Sequence, residues 1–169
     1  MVVKLLKKYV AKWSEKWRRS KLPMEAQSRY DRVDELESDL AKMEQFHFPV
    51  QDVFTPGLYT RIITMPKGSF LTSEIHKTEH PFLIMKGKVE VANVETGEVV
   101  IYEAPHVGIT KPYTRRVLNV IEDTVWATSH VTKETDVEKI GDKILVQRDN
   151  VVPQYKLKHK KENIWLGQQ

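Results

Sequence analysis

The sequence predicts a mainly β domain, either a β-sandwich or a jelly-roll barrel, preceded by two α-helices. Short runs rich in β-branched and aromatic residues follow one another after residue 50, turn residues separate several of them, and no helical periodicity comes between them. The length of 169 residues suits one domain with its own core. A hydrophobic share of 40% excludes a disordered chain. No run reaches the roughly 18 uncharged apolar residues of a membrane-spanning helix.

The first 19 residues predict a basic amphipathic helix, because at about 100° per residue the apolar side chains fall on one arc. Residues 1–21 carry eight lysines and arginines against one glutamate, a net charge of +7. We expect the apolar stripe to pack on the domain or on a neighbouring subunit. Contact of residues 1–21 with an anionic membrane or a nucleic acid is the less favoured alternative. The stripe consists of Val2, Val3, Leu5, Leu6, Tyr9, Val10, Trp13 and Trp17.

A second helix is predicted from Pro23 to about Gln45, since proline suits the first helical turn. Its apolar residues are spaced by three, four and three positions, which is a short heptad seam. The seam favours association between subunits, and hence a homo-oligomer, with packing on the parent domain as the alternative. The seam residues are Val33, Leu36, Leu40 and Met43.

Strand patterns fill the middle of the chain, and turn residues such as Gly68, Gly87 and Gly97 separate them. A weak helix is predicted at 135–145. The chain thus divides into a helical arm at 1–47, a barrel at 48–147 and a basic tail at 148–169. The predicted strands are Leu58–Thr64, Phe70–His76, Phe82–Met85, Val89–Val94, Val99–Tyr102, Val117–Ile121 and Val125–Val131.

A cluster of histidines and carboxylates lies between residues 74 and 80. Glu74 and His76 share one face if they lie on a strand, and a short turn then brings His80 beside them. Two imidazoles and one carboxylate can hold Zn, Fe or Mn and leave positions open for a substrate. The alternative is that these side chains form hydrogen bonds with one another, or line a polar pocket, without a metal. A zinc-protease helix is excluded here, because Pro81 follows directly.

His130 lies on the last predicted strand, with Trp126 and Thr128 on the same face. The other face, at Val125, Ala127, Ser129 and Val131, is smaller and more apolar. This favours an outward His130, whereas the opposite parity would complete a three-histidine site. The remaining histidines are predicted in loops or in the tail, and these are His47, His106 and His159.

The segment Lys111-Pro112-Tyr113-Thr114-Arg115-Arg116 is the second candidate site. Lys111, Tyr113 and Arg115 are predicted to bind an anionic ligand, because guanidinium makes bidentate contacts with carboxylate or phosphate. The alternative for Arg115 is an internal ion pair with Glu74 or Glu79. No residue is assigned a catalytic role.

The spacing Gly68-(five residues)-Glu74-x-His76-(three residues)-His80-(six residues)-Gly87 resembles the first motif of the cupin superfamily. The second motif is echoed by Gly97 and by Pro112-x-x-Arg115-x-x-x-Asn119. The resemblance implies a cupin-type jelly-roll barrel preceded by two α-helices. Glu74, His76 and His80 then stand at three of the family's ligand positions, and Arg115 replaces the histidine of the second motif.

A narrower resemblance joins residues 47–140 to small cupin proteins of tailed bacteriophages. It is carried by Phe54-Thr-Pro-Gly-Leu-Tyr-Thr-Arg61, the residues 75–80, Thr114-Arg-Arg-Val117 and Glu122-Asp-Thr-Val-Trp-Ala-Thr-Ser-His130. It implies a virion-associated or accessory protein that works by assembly, with other virion proteins as partners. The expected location is the host cytoplasm or the virion, since no signal peptide is recognised. A metal-dependent enzyme on a small anionic substrate and a non-catalytic binder of an anionic metabolite are the alternatives.

Overall fold

The structure, a computed structural model, describes residues 26–42 and 46–146. These residues form two helices and nine strands, and every strand pair is antiparallel. The elements are α1 (Ala26–Leu40), β1 (Val50–Thr55), β2 (Leu58–Met65), β3 (Phe70–Thr72), β4 (His80–Lys86), β5 (Lys88–Asn93), β6 (Val99–Glu103), β7 (His106–Thr110), β8 (Arg116–Val120), β9 (Thr124–Val131) and α2 (Val137–Ile144).

The strands form two sheets, one in the order β1-β2-β9-β4-β7 and the other in the order β3-β8-β5-β6. The chain passes repeatedly from one sheet to the other, and β9 returns between β2 and β4. With β1 as an added edge strand, this is the eight-strand order of a double-sheet jelly roll. No ladder joins the two sheets within the described residues, so the predicted barrel is an open double sheet.

The core lies between the sheets, where alternate side chains of each strand meet. Phe82 of β4 stacks on Trp126 of β9 with ring centroids 4.7 Å apart. Around them, Met65, Leu71 and Ile84 are at most 4% exposed. Burial of such side chains contributes about 1.5–3 kcal/mol each, so this cluster is the main source of stability.

Six of the seven predicted strands are found with small shifts of their ends, the strand predicted at Phe70–His76 is found only at Phe70–Thr72, and two strands were missed. β1 is largely exposed and lacks a regular apolar alternation, and β7 is short and contains Gly108. His106 therefore lies at the start of a strand, although a loop was predicted. β3 ends at Thr72 because the following residues cross from one sheet to the other, so Glu74 and His76 do not share a strand.

Helix α1 packs on its own domain. Val33 is fully buried and Leu36 is 4% exposed, and they contact Val94 and Val117. The heptad seam was predicted to join subunits. Val33 and Leu36 instead pack on their own domain, which was the alternative interpretation. The predicted helix at 1–19, the seam residue Met43 and the predicted tail at 148–169 lie outside the described residues.

A buried ion pair fixes α1 on the sheet. Nη1 of Arg115 donates to Oδ1 of Asp34 at 2.7 Å, and Nη2 lies 2.8 Å from Oε2 of Glu37. Arg115 and Glu37 are both fully buried. The side chain of Arg115 thus lies under α1, where its charge is paired with these two carboxylates. The alternative of an internal ion pair was correct in kind, although Glu74 and Glu79 are not the partners.

Neither helix in the described part of the chain is long and apolar enough to cross a membrane.

Candidate metal centre

Three histidines meet at one end of the space between the sheets. The ring centroids of His76 and His80 are 4.3 Å apart, those of His80 and His130 are 4.4 Å apart, and those of His76 and His130 are 4.9 Å apart. One ring nitrogen of each lies within 4.8 Å of the other two. The structure therefore brings the predicted pair His76 and His80 together and adds His130.

The pairing of β4 with β9 positions two of the three. Their register pairs Phe82 with Thr128, and two residues further along it sets His80 beside His130. His130 is 3% exposed, so the outward orientation that the sequence favoured is wrong. The prediction failed because the outer face of this sheet is itself apolar: Ala127 is 3% exposed and pairs with Leu83 and Ile62 across the strands.

His76 belongs to no strand and is held in place by the end of α2. It forms an isolated bridge with Leu145, and the amide of Lys77 donates to the carbonyl of Ile144 at 2.7 Å. The amide of Val146 donates to the carbonyl of Ile75 at 2.8 Å. The segment that carries His76 is thus attached to the end of this helix by an isolated bridge and two backbone hydrogen bonds.

The anchoring role of α2 was missed at the sequence level. Its signals were an N-cap at Asp136, whose side chain accepts from the amides of Glu138 and Lys139, and the apolar face with Ile140. Ile140 is 1% exposed and fixes the helix on the domain. His76 and Leu145 lie far apart in the chain, so no local pattern reveals their contact.

The three imidazoles are held neutral. Burial, together with the charges that His80, His130 and Arg116 would place nearby, lowers the pKa of His76 to about 2. Burial also lowers the pKa of His80, and burial with the neighbouring His80 lowers the pKa of His130 to about 4. A neutral imidazole has a lone pair to give to a metal ion, so the site needs no deprotonation at pH 7.

Hydrogen bonds at the ring nitrogens determine which atoms face the cluster. Nδ1 of His80 lies 3.1 Å from the carbonyl of Thr78, and as the donor in that bond it leaves Nε2 with its lone pair. His76 bonds to the backbone of Glu74. Nδ1 of His130 is buried without a hydrogen-bond partner, which is costly unless something else satisfies it.

A cavity of about 110 Å³ adjoins the histidines between the two sheets. His76 and His80 lie on its wall, whereas His130 does not. The other polar lining residues are Arg61, Ser73, Glu74, Thr110, Arg116 and Thr128, and the apolar ones are Ile63, Met65, Leu71, Leu118 and Trp126.

The other predicted site residues are placed apart from the histidine cluster. Glu74 lines the cavity, but its carboxylate is not in the group of metal-capable atoms. Lys111 and Tyr113 are exposed at the turn before β8, and Nζ of Lys111 forms an ion pair with Glu79 at 2.5 Å. Neither of them lines the cavity, and neither does Arg115. The arginines that line the cavity are Arg61 and Arg116, and the sequence reasoning assigned neither of them to the site.

This histidine set fits a divalent metal ion. Three neutral imidazoles are the protein ligands of one type of catalytic zinc site, and imidazole also suits iron. Nitrogens that share an ion at about 2.1 Å in tetrahedral geometry lie about 3.4 Å apart, so small ring rotations bring the three onto one ion. Nδ1 of His130 has no hydrogen-bond partner in the described part of the chain, and a bound ion would satisfy it.

The strand order defines a jelly-roll protein, and the cluster places three imidazoles on its inner side. The jelly roll is the fold that the resemblance in motif spacing implies. No protein-family model matches the sequence, and no curated protein sequence matches it.

Solved structures similar to this chain include three cupins. The cupin domain of Cnp3 from Schizosaccharomyces pombe is 17% identical, with a TM-score of 0.43 over 61% of this chain and 71% of that one. An RmlC-like cupin protein from Desulfovibrio desulfuricans is 15% identical, with a TM-score of 0.43 over 50% and 82%. A cupin-2 domain containing protein from Shewanella frigidimarina is 10% identical, with a TM-score of 0.42 over 57% and 92%. No activity is carried over from them, and the phage resemblance gains no support here.

Proposed function

We propose that this protein holds one divalent metal ion, Zn, Fe or Mn, through His76, His80 and His130, and that it is an enzyme on a small molecule bound in the adjoining cavity. The observation that carries the proposal is the three-histidine cluster, with ring nitrogens within 4.8 Å of one another.

The three-histidine arrangement is typical of a catalytic metal site and not of a structural one. A structural zinc site is closed by four protein ligands, whereas three leave a position for substrate or water. Among the described residues, no fourth histidine, cysteine or carboxylate joins the group. Two of the three imidazoles also line the cavity, so the open position faces the space where a small molecule fits.

An ion bound here would polarise a substrate oxygen or lower the pKa of a water molecule. The protein's own residues provide the surroundings. The carbonyl of Thr78 fixes the orientation of the His80 ring. The apolar residues Leu118 and Trp126 on the cavity wall limit the access of water, which strengthens electrostatic interactions in the cavity.

The assembly function predicted from the sequence has less support. Val33 and Leu36, which were expected to join subunits, are used inside the domain. Oligomerisation and docking to virion proteins remain proposals that depend on the helical arm and the basic tail at 148–169. Contact with membrane or nucleic acid remains a proposal for residues 1–21. Residues 1–25 and 147–169 lie outside the described part of the chain.

Metal content tests the proposed function. The full chain is incubated with Zn²⁺, Mn²⁺ or anaerobic Fe²⁺, desalted and measured by elemental analysis. We expect about one ion per chain in the wild type, and little in His76→Ala, His80→Ala or His130→Ala, because two ligands rarely hold a divalent ion. His47→Ala is the matched control, since His47 is exposed and lies outside the cluster. Wild-type protein without metal, or equal retention by the cluster variants, overturns the proposal.

A further inference from the structure

The cavity carries a cation on the wall across from the histidines. Arg116 extends inward from β8 of one sheet, and its guanidinium lies 5.5 Å from the ring centre of Phe82 on β4 of the other. From this arrangement we propose that the cavity binds a small carboxylate and that Arg116 is the residue that holds its charge. This inference rests on the proposed function, since it names the substrate class of the same site.

Arg116 is fixed in position but not neutralised. Its amide donates to Oγ of Ser73 at 2.9 Å, and its carbonyl accepts from the amide of Ser73 at 2.8 Å. No carboxylate in the described ranges forms an ion pair with its guanidinium. Glu95 attracts this half-buried guanidinium from beyond ion-pair distance, and burial still lowers the pKa of Arg116. A bound anion would therefore stabilise it, and a guanidinium has five N–H donors to bind one.

Two further groups support an oxygen-rich ligand. Thr110 lines the cavity and is 1% exposed. Its Oγ1 atom is buried and has no hydrogen-bond partner. Arg61 adds a second guanidinium to the wall, with Asp52 at 3.9 Å as its ion-pair partner. Glu74 is the one carboxylate among the lining residues, beside the two arginines and the neutral histidines.

The apolar residues of the cavity wall indicate what the uncharged part of the ligand is. Met65, Leu71, Leu118 and Trp126 offer apolar surface, which matches a short aliphatic body better than a second charge. A volume of about 110 Å³ is well below that of a site for a drug-sized molecule. A planar carboxylate also matches the fork of a guanidinium in a bidentate pair. A short-chain monocarboxylate meets all three conditions.

The experiment titrates zinc-loaded full-length protein with propionate by calorimetry, in a buffer of low chloride. Propionamide has the same shape without the charge, and inorganic phosphate is the alternative anion. We expect saturable propionate binding, with propionamide and phosphate at least tenfold weaker. In Arg116→Gln the propionate affinity falls at least tenfold, because a charge-assisted bidentate contact is lost. The zinc content of this variant stays at the wild-type level.

Lys111→Gln is the control, since Lys111 was the exposed candidate for an anion and lies outside the cavity. Its propionate affinity should equal that of the wild type. Two results on the wild type alone overturn the inference: propionamide that binds as tightly as propionate, and phosphate that binds more tightly than propionate. An unchanged propionate affinity in Arg116→Gln overturns it as well. Loss of zinc with retained, Arg116-dependent propionate binding overturns the proposed function and supports the carboxylate site.

Discussion

Arg115 and Arg116 are adjacent in the sequence, yet their guanidinium groups lie on opposite sides of one sheet. That of Arg115 is fully buried under α1 between Asp34 and Glu37, at 2.7 and 2.8 Å. That of Arg116 faces the space between the sheets, over the ring of Phe82. The alternation of side chains along an extended chain forces this division. One arginine therefore stabilises the fold, and its neighbour serves the cavity.

Arg115→Gln should strongly destabilise the protein. The change leaves Asp34 and Glu37 without their cation, and breaking a buried ion pair from one side costs about 3–5 kcal/mol. Urea unfolding of the full chain measures this cost. Lys42→Gln is the control, because its pair with Asp39 is exposed at the surface and should contribute less than about 1 kcal/mol. Equal unfolding midpoints for the two variants would contradict the structural role of Arg115.

The same contrast shows what the sequence could predict. The periodicity and turn residues located seven of the nine strands, because most of these strands alternate more buried with more exposed side chains. The spacing from Glu74 to His80 identified the site, since two of its members are near in sequence. Arg115 and Arg116 could not be distinguished, because a shift of one residue exchanges the two faces of a strand.

Long-range contacts account for the remaining errors. The parity of His130 depends on which side of its sheet is covered, and both sides of β9 are apolar enough to be buried. The bridge between His76 and Leu145 joins residues far apart in the chain, so no local pattern reports it. Metal ligands brought together in this way are visible only once the strand order is known.

The stability of the metal-free protein should fall as the pH is lowered from 7 to 5. The pKa of His130 is lowered to about 4 in the folded state, against about 6.5 in the unfolded chain. Between these values the unfolded state binds more protons, so the free energy of unfolding decreases by up to about 1.4 kcal/mol per pH unit for such a histidine. The stabilising contribution is complete above pH 6.5 and lost toward pH 4.

Urea unfolding at pH 7, 6 and 5 in the presence of a chelator measures this dependence. His130→Gln should show a shallower decline than the wild type, because glutamine does not titrate. Groups outside the histidine cluster titrate alike in both proteins and cancel in the comparison. His76 loses the influence of His130 in the variant, but it stays buried and contributes to the decline that remains. Parallel declines would show that His130 is not held neutral in the fold.

Leu145→Ala should weaken metal binding although Leu145 offers no ligand atom. Leu145 is 8% exposed and pairs with His76, so a smaller side chain loosens the segment that carries this imidazole. We expect zinc affinity, measured by competition with a chromogenic chelator, to fall about tenfold, as for other changes that disturb ligand orientation. Lys139→Ala on the exposed face of α2 is the control and should bind zinc as the wild type does. Full affinity in Leu145→Ala would refute the anchoring role of α2.

Two glycine-to-alanine changes should have opposite effects. A Cβ at Gly108 would lie 2.4 Å from the ring of Phe82, which cannot yield because it stacks on Trp126 at 4.7 Å. Such overpacking costs about 1–3 kcal/mol, and a displaced Phe82 ring also moves the surface under Arg116. A Cβ at Gly141 meets only Leu145, at an ordinary 3.8 Å, within helix α2. Alanine there should stabilise the protein by about 0.5–1 kcal/mol. Urea midpoints that shift in the same direction for Gly108→Ala and Gly141→Ala would contradict this packing.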